Sequence, residues 1–213
     1  MRCTRPLPLV LLLLAAACAT SPPPSVGADS VRTSPWTARL VDTLVRLGRE
    51  DQQARDGMGR AMAENDTAVL VRMMRGDSAR SRWLRRTIDE RGWPAPSVVG
   101  REAAGAAWLI LQHSPFHDWH REMLPTIERL AERGELPRGE LATYTDRVLV
   151  RAGERQRYGT QFDLANGRLV PAPVEDLAGL DARRAAIGMP PMAEYVRVLG
   201  EMYGLPVVWP PPS

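Results

Sequence analysis

Nine consecutive residues, Ala103 to Leu111 (AAGAAWLIL), carry no charge on any side. A helix that is apolar all round cannot lie on a surface, so the rest of the chain has to fold around this one. The run stops on Gln112-His113. Ser114-Pro115 then reads as an N-cap followed by a first-turn proline, the start of another helix. All three histidines, His113, His117 and His120, fall at this corner. A buried helix therefore delivers an amide and an imidazole to a helix-helix junction, with two more imidazoles just beyond it.

On either side of the corner the spacing is helical. Leu40, Leu44, Leu47, Asp51, Arg55, Met58 and Met62 recur on one face after the Ser34-Pro35 start, so two charged residues interrupt an apolar stripe four positions apart. Asp66 and Asp77 both read as N-caps, the second opening a helix that ends at Gly92. Ser97 begins the helix that leads to His113. Pro125 should kink or interrupt the helix after Ser114, which Gly134 closes. Pro137 starts a further helix in which Asp146 borders the apolar stripe and Arg147 points outward. Tyr158 to Leu164 and Arg168 to Val170, joined at Asn166-Gly167, form a hairpin. One short helix capped by Asp181 and another from Pro191 to Tyr203 complete the pattern. The expected fold is mainly α: a single multi-helix domain over residues 34–205, with one small β-hairpin in its C-terminal third, before a proline-rich tail at 206–213.

Residues 1–18 have the form of a secretory signal: Arg2 and Arg5, an apolar core from Leu7 to Leu14, then Ala15-Ala16-Ala17-Cys18, which resembles a lipobox. The apolar core is too short for a permanent membrane span. Cys18 is thus the expected lipidation site, and residues 19–33, rich in Pro, Ser and Gly, the expected flexible tether. The expected place is the cell envelope, membrane-anchored through Cys18 and periplasm-facing, or outside the cell if Cys18 is not lipidated. Cys3 would leave with the signal, so the folded part has no thiol for a disulfide, a zinc-thiolate site or a nucleophile. The formal charge of +3 includes Arg2 and Arg5, leaving 3 − 2 = +1 without them, which gives no argument for nucleic acid.

Asp51-Gln52-x-x-Arg55, Gly92-Trp93-Pro94, Gln112-His113, Asp146-Arg147 and Gln156-x-Tyr158-Gly159-Thr160-Gln161, followed by Asp181-x-Arg183-Arg184, resemble a bacterial family classed as a domain of unknown function. The resemblance covers about residues 40–200 and brings no activity with it. In that pattern an aspartate often follows Gln-His within two residues. Here Ser114-Pro115 stands instead, so an acid that oriented the histidine in relatives would have to be replaced by Asp118.

The chemistry-bearing residues suggest one polar pocket. His113 and Asp146 are the candidate catalytic groups, because an imidazole passes protons near neutral pH and a carboxylate beside it fixes its tautomer. Asp51, Arg55, Gln112, Arg147, Gln156, Tyr158, Thr160 and Gln161 are the candidate ligand-binding residues, with Arg55 or Arg147 offering a planar fork for an anion. The alternative for all of them is a buried hydrogen-bond network that fixes the fold. His113, His117 and His120 have the i, i+4, i+7 spacing of metal ligands, but Pro115 separates His113 from the other two. His117 and His120 remain weak metal candidates, and no cofactor is expected. No nucleophile elbow or phosphate-binding glycine loop is present. The expected function is an envelope protein with a polar pocket, a hydrolase acting on an envelope-associated small molecule; the alternative is a non-catalytic ligand- or partner-binding protein.

Overall fold

Ser34 caps the first helix by accepting the Thr37 N–H, and Pro35 occupies its first turn. In the computed structural model, which describes residues 34–56, 61, 64 and 66–210, this helix is α1 (Pro35–Gln53). Leu40, Leu44, Leu47 and Asp51 line its buried face, as the stripe predicted. Met58 and Met62 lie outside the described residues, as do Cys18, the signal and the tether. The remaining elements are α2 (Thr67–Arg91), α3 (Pro96–Gln112), α4 (His117–Glu132), α5 (Arg138–Arg151), β1 (Phe162–Ala165), β2 (Arg168–Pro171), α6 (Leu180–Ala185) and α7 (Met192–Tyr203). The chain divides into two compact units, one ending at Thr126 and the other beginning at Ile127. No described helix is long and apolar enough to cross a membrane.

In the first unit, α3 packs chiefly against α1 and also against α2. Ala103, Ala107, Ile110 and Leu111 are each at most 1% exposed, so the uncharged run is the buried helix its composition demanded. The close approach is made at Gly48 of α1: a Cβ there would sit 2.6 Å from the Cβ of Ala106. Such a distance permits no side chain on α1 at this point. The small residues of α3 matter where one of them faces Gly48, while Gly100 and Gly105 face open space. Gly100 instead breaks α3 locally, at φ +78° and ψ 163°.

Three expectations about this unit are corrected. Asp77 caps nothing. Asp66 caps α2 by accepting the Ala68 and Val69 N–H groups, and α2 runs unbroken past Asp77, which is buried in its middle. The Asp77 carboxylate accepts from arginines, so no backbone N–H competes for it. Second, Ser114 holds the Phe116 N–H, and regular helix begins only at His117. Third, α4 continues through Pro125. A proline removes one helical hydrogen bond, but Trp119, Met123, Ile127 and Leu130 flank it and are all buried; burial of that face outweighs the missing bond.

The second unit is built on an apolar cluster of Phe162, Leu169, Val174, Leu180, Met192 and Leu199. The hairpin pairs Phe162 with Pro171 and Ala165 with Arg168. Asn166 and Gly167 take φ of +51° and +70°, the two left-handed residues of a tight hairpin turn. Strand pairing starts at Phe162, later than expected, because Tyr158 to Gln161 serve another purpose described below. The proline-rich tail is not a loose surface strand. The Leu169 N–H donates to the Pro206 carbonyl and the Val208 N–H to that of Leu169, at 2.9 and 2.8 Å, and Trp209 packs against the apolar cluster. Asp181 lies inside α6, whose N-cap is Gly179; its carboxylate accepts the Met192 N–H and so fixes the start of α7.

Candidate functional site

Most of the polar residues singled out in the sequence belong to two hydrogen-bond networks, one within each unit. In the first, the C-terminal turn of α1 supplies Asp51 and the turn just beyond it supplies Arg55. The middle of α2 supplies Asp77 and Arg80, and the C-cap of α3 supplies His113. Arg55 donates through Nη1 to Asp51 Oδ1 at 3.0 Å and through Nη2 to both oxygens of Asp77 at 3.2 Å. Arg80 donates to Asp77 Oδ1 at 2.7 Å and lies 3.6 Å from Asp51 Oδ1. His113 Nδ1 meets Asp51 Oδ2 at 2.7 Å, and Gln52 Nε2 donates to the same oxygen. Two carboxylates thus face two guanidiniums, and the charges cancel.

Burial acts to raise the Asp51 pKa. The His113 hydrogen bond and the charges of His113, Arg55 and Arg80 outweigh it, so the net direction is down. Burial lowers the pKa of His113 from 6.5, against the pull of Asp51. These two statements compete over one proton, since a neutral imidazole attracts the carboxylate less than a cation does. Arg55 and Arg80 suffice to keep Asp51 ionised, so we take the pair as Asp51 carboxylate with neutral His113. The carboxylate can only accept, which puts the imidazole proton on Nδ1 and the lone pair on Nε2.

Asp77 and Arg80 escaped the sequence reading. Their signal was present: Asp77-x-x-Arg80 repeats, at i, i+3, the acid-base pairing of Asp51 and Arg55. The acid that orients His113 is Asp51. Asp118 is exposed and does not stand in for it. Gln112 is buried beside His113 on α3. Of the other histidines, His117 is exposed and His120 is fully buried, with Nε2 placed 3.1 Å from the Ser114 carbonyl. The carbonyl can only accept, so the proton sits on Nε2 and the lone pair on Nδ1. Among the described residues no group of three or more His, Cys, Asp or Glu is placed to hold a metal ion.

The second network centres on Asp146 of α5. Its carboxylate accepts the N–H groups of Arg157, Tyr158 and Thr160 at 2.7 to 3.2 Å and the Thr160 hydroxyl at 2.8 Å. Burial pushes its pKa up, and the four donors pull the other way. Gln156 closes the loop from inside: its Nε2 donates to the Gln161 and Ala172 carbonyls while its Oε1 accepts the Gln161 N–H. Gln161 Nε2 reaches the Thr143 carbonyl and the Thr160 hydroxyl oxygen. Gly159, at φ +69°, turns the chain where a Cβ would meet Met192 Sδ at 3.1 Å, so both its conformation and its size are required. From α6, Arg184 donates to the Tyr158 and Pro190 carbonyls and stacks on Tyr195. Arg183 holds the carbonyls of Arg157, Glu175 and Asp176. The run from Gln156 to Gln161 is therefore a loop wrapped around a buried carboxylate, with Asp146 as its anchor. Arg147 is 2% exposed. It does not point outward as its helical position suggested.

The resemblance to a family of unknown function is matched by the comparison with known proteins at the level of family. No curated protein and no solved structure matches the chain. The chain belongs to a family of unknown function (DUF6624), which matches residues 38–208.

Proposed function

We propose that the first unit carries an acid/base site in which His113 is the working group and Asp51 its orienting carboxylate, acting in a hydrolase on an envelope-associated small molecule. The single observation that carries this reading is the 2.7 Å contact of His113 Nδ1 with a carboxylate that two arginines hold in place. A fixed tautomer leaves Nε2 to take a proton from an attacking water and return it to the leaving group, while Asp51 stabilises the imidazolium between the two steps. Arg55 spends its guanidinium on Asp51 and Asp77, so in this proposal it supports the dyad and does not clamp substrate. Asp146 is likewise left out of the chemistry, because its acceptor positions are taken by the loop.

A second reading, ligand binding without turnover, draws support from burial. The side chains of Arg55, Asp77 and Arg80 are each 8% exposed and that of His113 3%. A screen of envelope fragments against the whole chain separates the two. Turnover should fall about 10²-fold or more in His113→Gln, the range of general acid/base catalysis. In the wild type it should decline as pH drops through the His113 pKa, below 6.5, because protonation fills Nε2. His113→Gln that turns over at the wild-type rate would sink the acid/base reading, and saturable binding with no product would favour the second.

The envelope location rests on the N-terminal pattern ending at Cys18. Acyl-precursor labelling should mark the wild type and not Cys18→Ser; equal labelling of both would rule the anchor out.

A further inference from the structure

Among the described residues, several buried arginines have partners that answer their charge or their geometry. Arg55 and Arg80 face carboxylates, and Arg184 is held by two carbonyls and a tyrosine ring. Arg151, in the last turn of α5, differs. Its Nε and Nη1 are both buried, and neither has a hydrogen-bond partner among the described residues. One turn earlier on the same face stands Arg147, and one turn before that Tyr144, both almost fully buried and both engaged in interactions of their own. Positions i, i+3 and i+7 place the three side chains along one stripe.

We propose that Arg151, with Arg147 and Tyr144 beside it, is an oxyanion site that takes the phosphate or carboxylate group of a small molecule. Two guanidiniums placed one turn apart repel each other, and withdrawing the Arg151 Nε and Nη1 donors from water without an acceptor is costly. A folded chain has an inexpensive remedy, an acid on the neighbouring turn, which it uses twice in the first unit. At Arg151 no such acid is hydrogen-bonded to Nε or Nη1. An incoming oxyanion would supply an acceptor, since two oxygens of a carboxylate or phosphate match the guanidinium edge formed by Nη2 with either Nη1 or Nε. The cation cannot be lost instead: burial pushes Arg147 down to only about 10, so it stays charged at neutral pH. Arg151 as a whole is half-buried, so part of its side chain meets solvent although Nε and Nη1 do not. Burial opposes ionisation of the Tyr144 hydroxyl, so it adds no negative charge beside the guanidiniums. The site shares no residue with the His113 network and stands or falls independently of it.

The test uses the full chain and two probes, inorganic phosphate and acetate, each compared with chloride at the same ionic strength. Phosphate, acetate or both should raise the melting temperature saturably beyond the chloride control, and calorimetry should give one site. In Arg151→Gln the responding probe should bind at least tenfold more weakly. Arg151→Lys, which keeps the charge and loses the fork, should fall between the two. In anion-free buffer Arg151→Gln should melt no lower than wild type, because it removes a charge whose donors lack partners. The probe that responds identifies the group as phosphate or carboxylate. No response to either probe, an equal response in Arg151→Gln, or a lower melting temperature of that variant without anion would each overturn the proposal.

Discussion

Asp146→Ala is expected to lose on the order of 4 kcal/mol of stability or more. Three backbone N–H groups and one hydroxyl would lose their acceptor together, and each buried donor left unmade costs about 1–3 kcal/mol. The sum is held below its upper limit because the Thr160 hydroxyl can rotate and water can enter a relaxed loop. Against a typical total of about 5–15 kcal/mol, this approaches loss of the folded second unit. Asp146→Asn should cost less, since one carbonyl oxygen can still accept while the amide faces donors. Denaturant unfolding of the three proteins measures the series. If Asp146→Ala stayed within about 1 kcal/mol of wild type while losing an activity, the carboxylate would be a working group and not the anchor of the loop.

Arg55→Ala comes next in size. It would leave Asp51 with Arg80 at 3.6 Å as its remaining guanidinium and strip two hydrogen bonds from Asp77. Breaking a buried ion pair by removing one partner costs about 3–5 kcal/mol, because the surviving charge stays in a poor solvent. His113→Ala should cost less, about 1–3 kcal/mol, since it removes a neutral donor from a carboxylate that keeps other partners. The double variant decides whether these residues act as one network. Both meet Asp51, one at each oxygen, so the two losses should differ from their sum by more than about 0.5 kcal/mol. Additive losses would show that the two contacts with Asp51 are energetically independent.

How far this was legible in the sequence depended on whether a residue broke a local pattern. Asp51 and Arg55 did, because charges on a leucine stripe have to find partners inside. His113 did, as the end of the least polar helix in the chain. Asp77 broke nothing: an aspartate after a glycine satisfies the rules for a helix start, and only the unbroken α2 shows that its carboxylate turns toward arginines. Arg147 was misjudged for a related reason, since a helical wheel gives a direction and not what lies there.

The sequence by itself determined most of the helices, the buried run ending at His113, the hairpin turn at Asn166-Gly167 and the spacing that lets Asp51 reach Arg55. Each follows from spacing within a few residues, where sterics and hydrophobic periodicity act. Only the tertiary structure decided that Asp51, Arg55 and His113 share one network, that Asp77 and Arg80 complete it, and that the loop from Gln156 to Gln161 folds around Asp146. Those partners lie 11 to 62 residues apart in the chain. At that separation many pairings satisfy the same donors and acceptors, and packing selects among them.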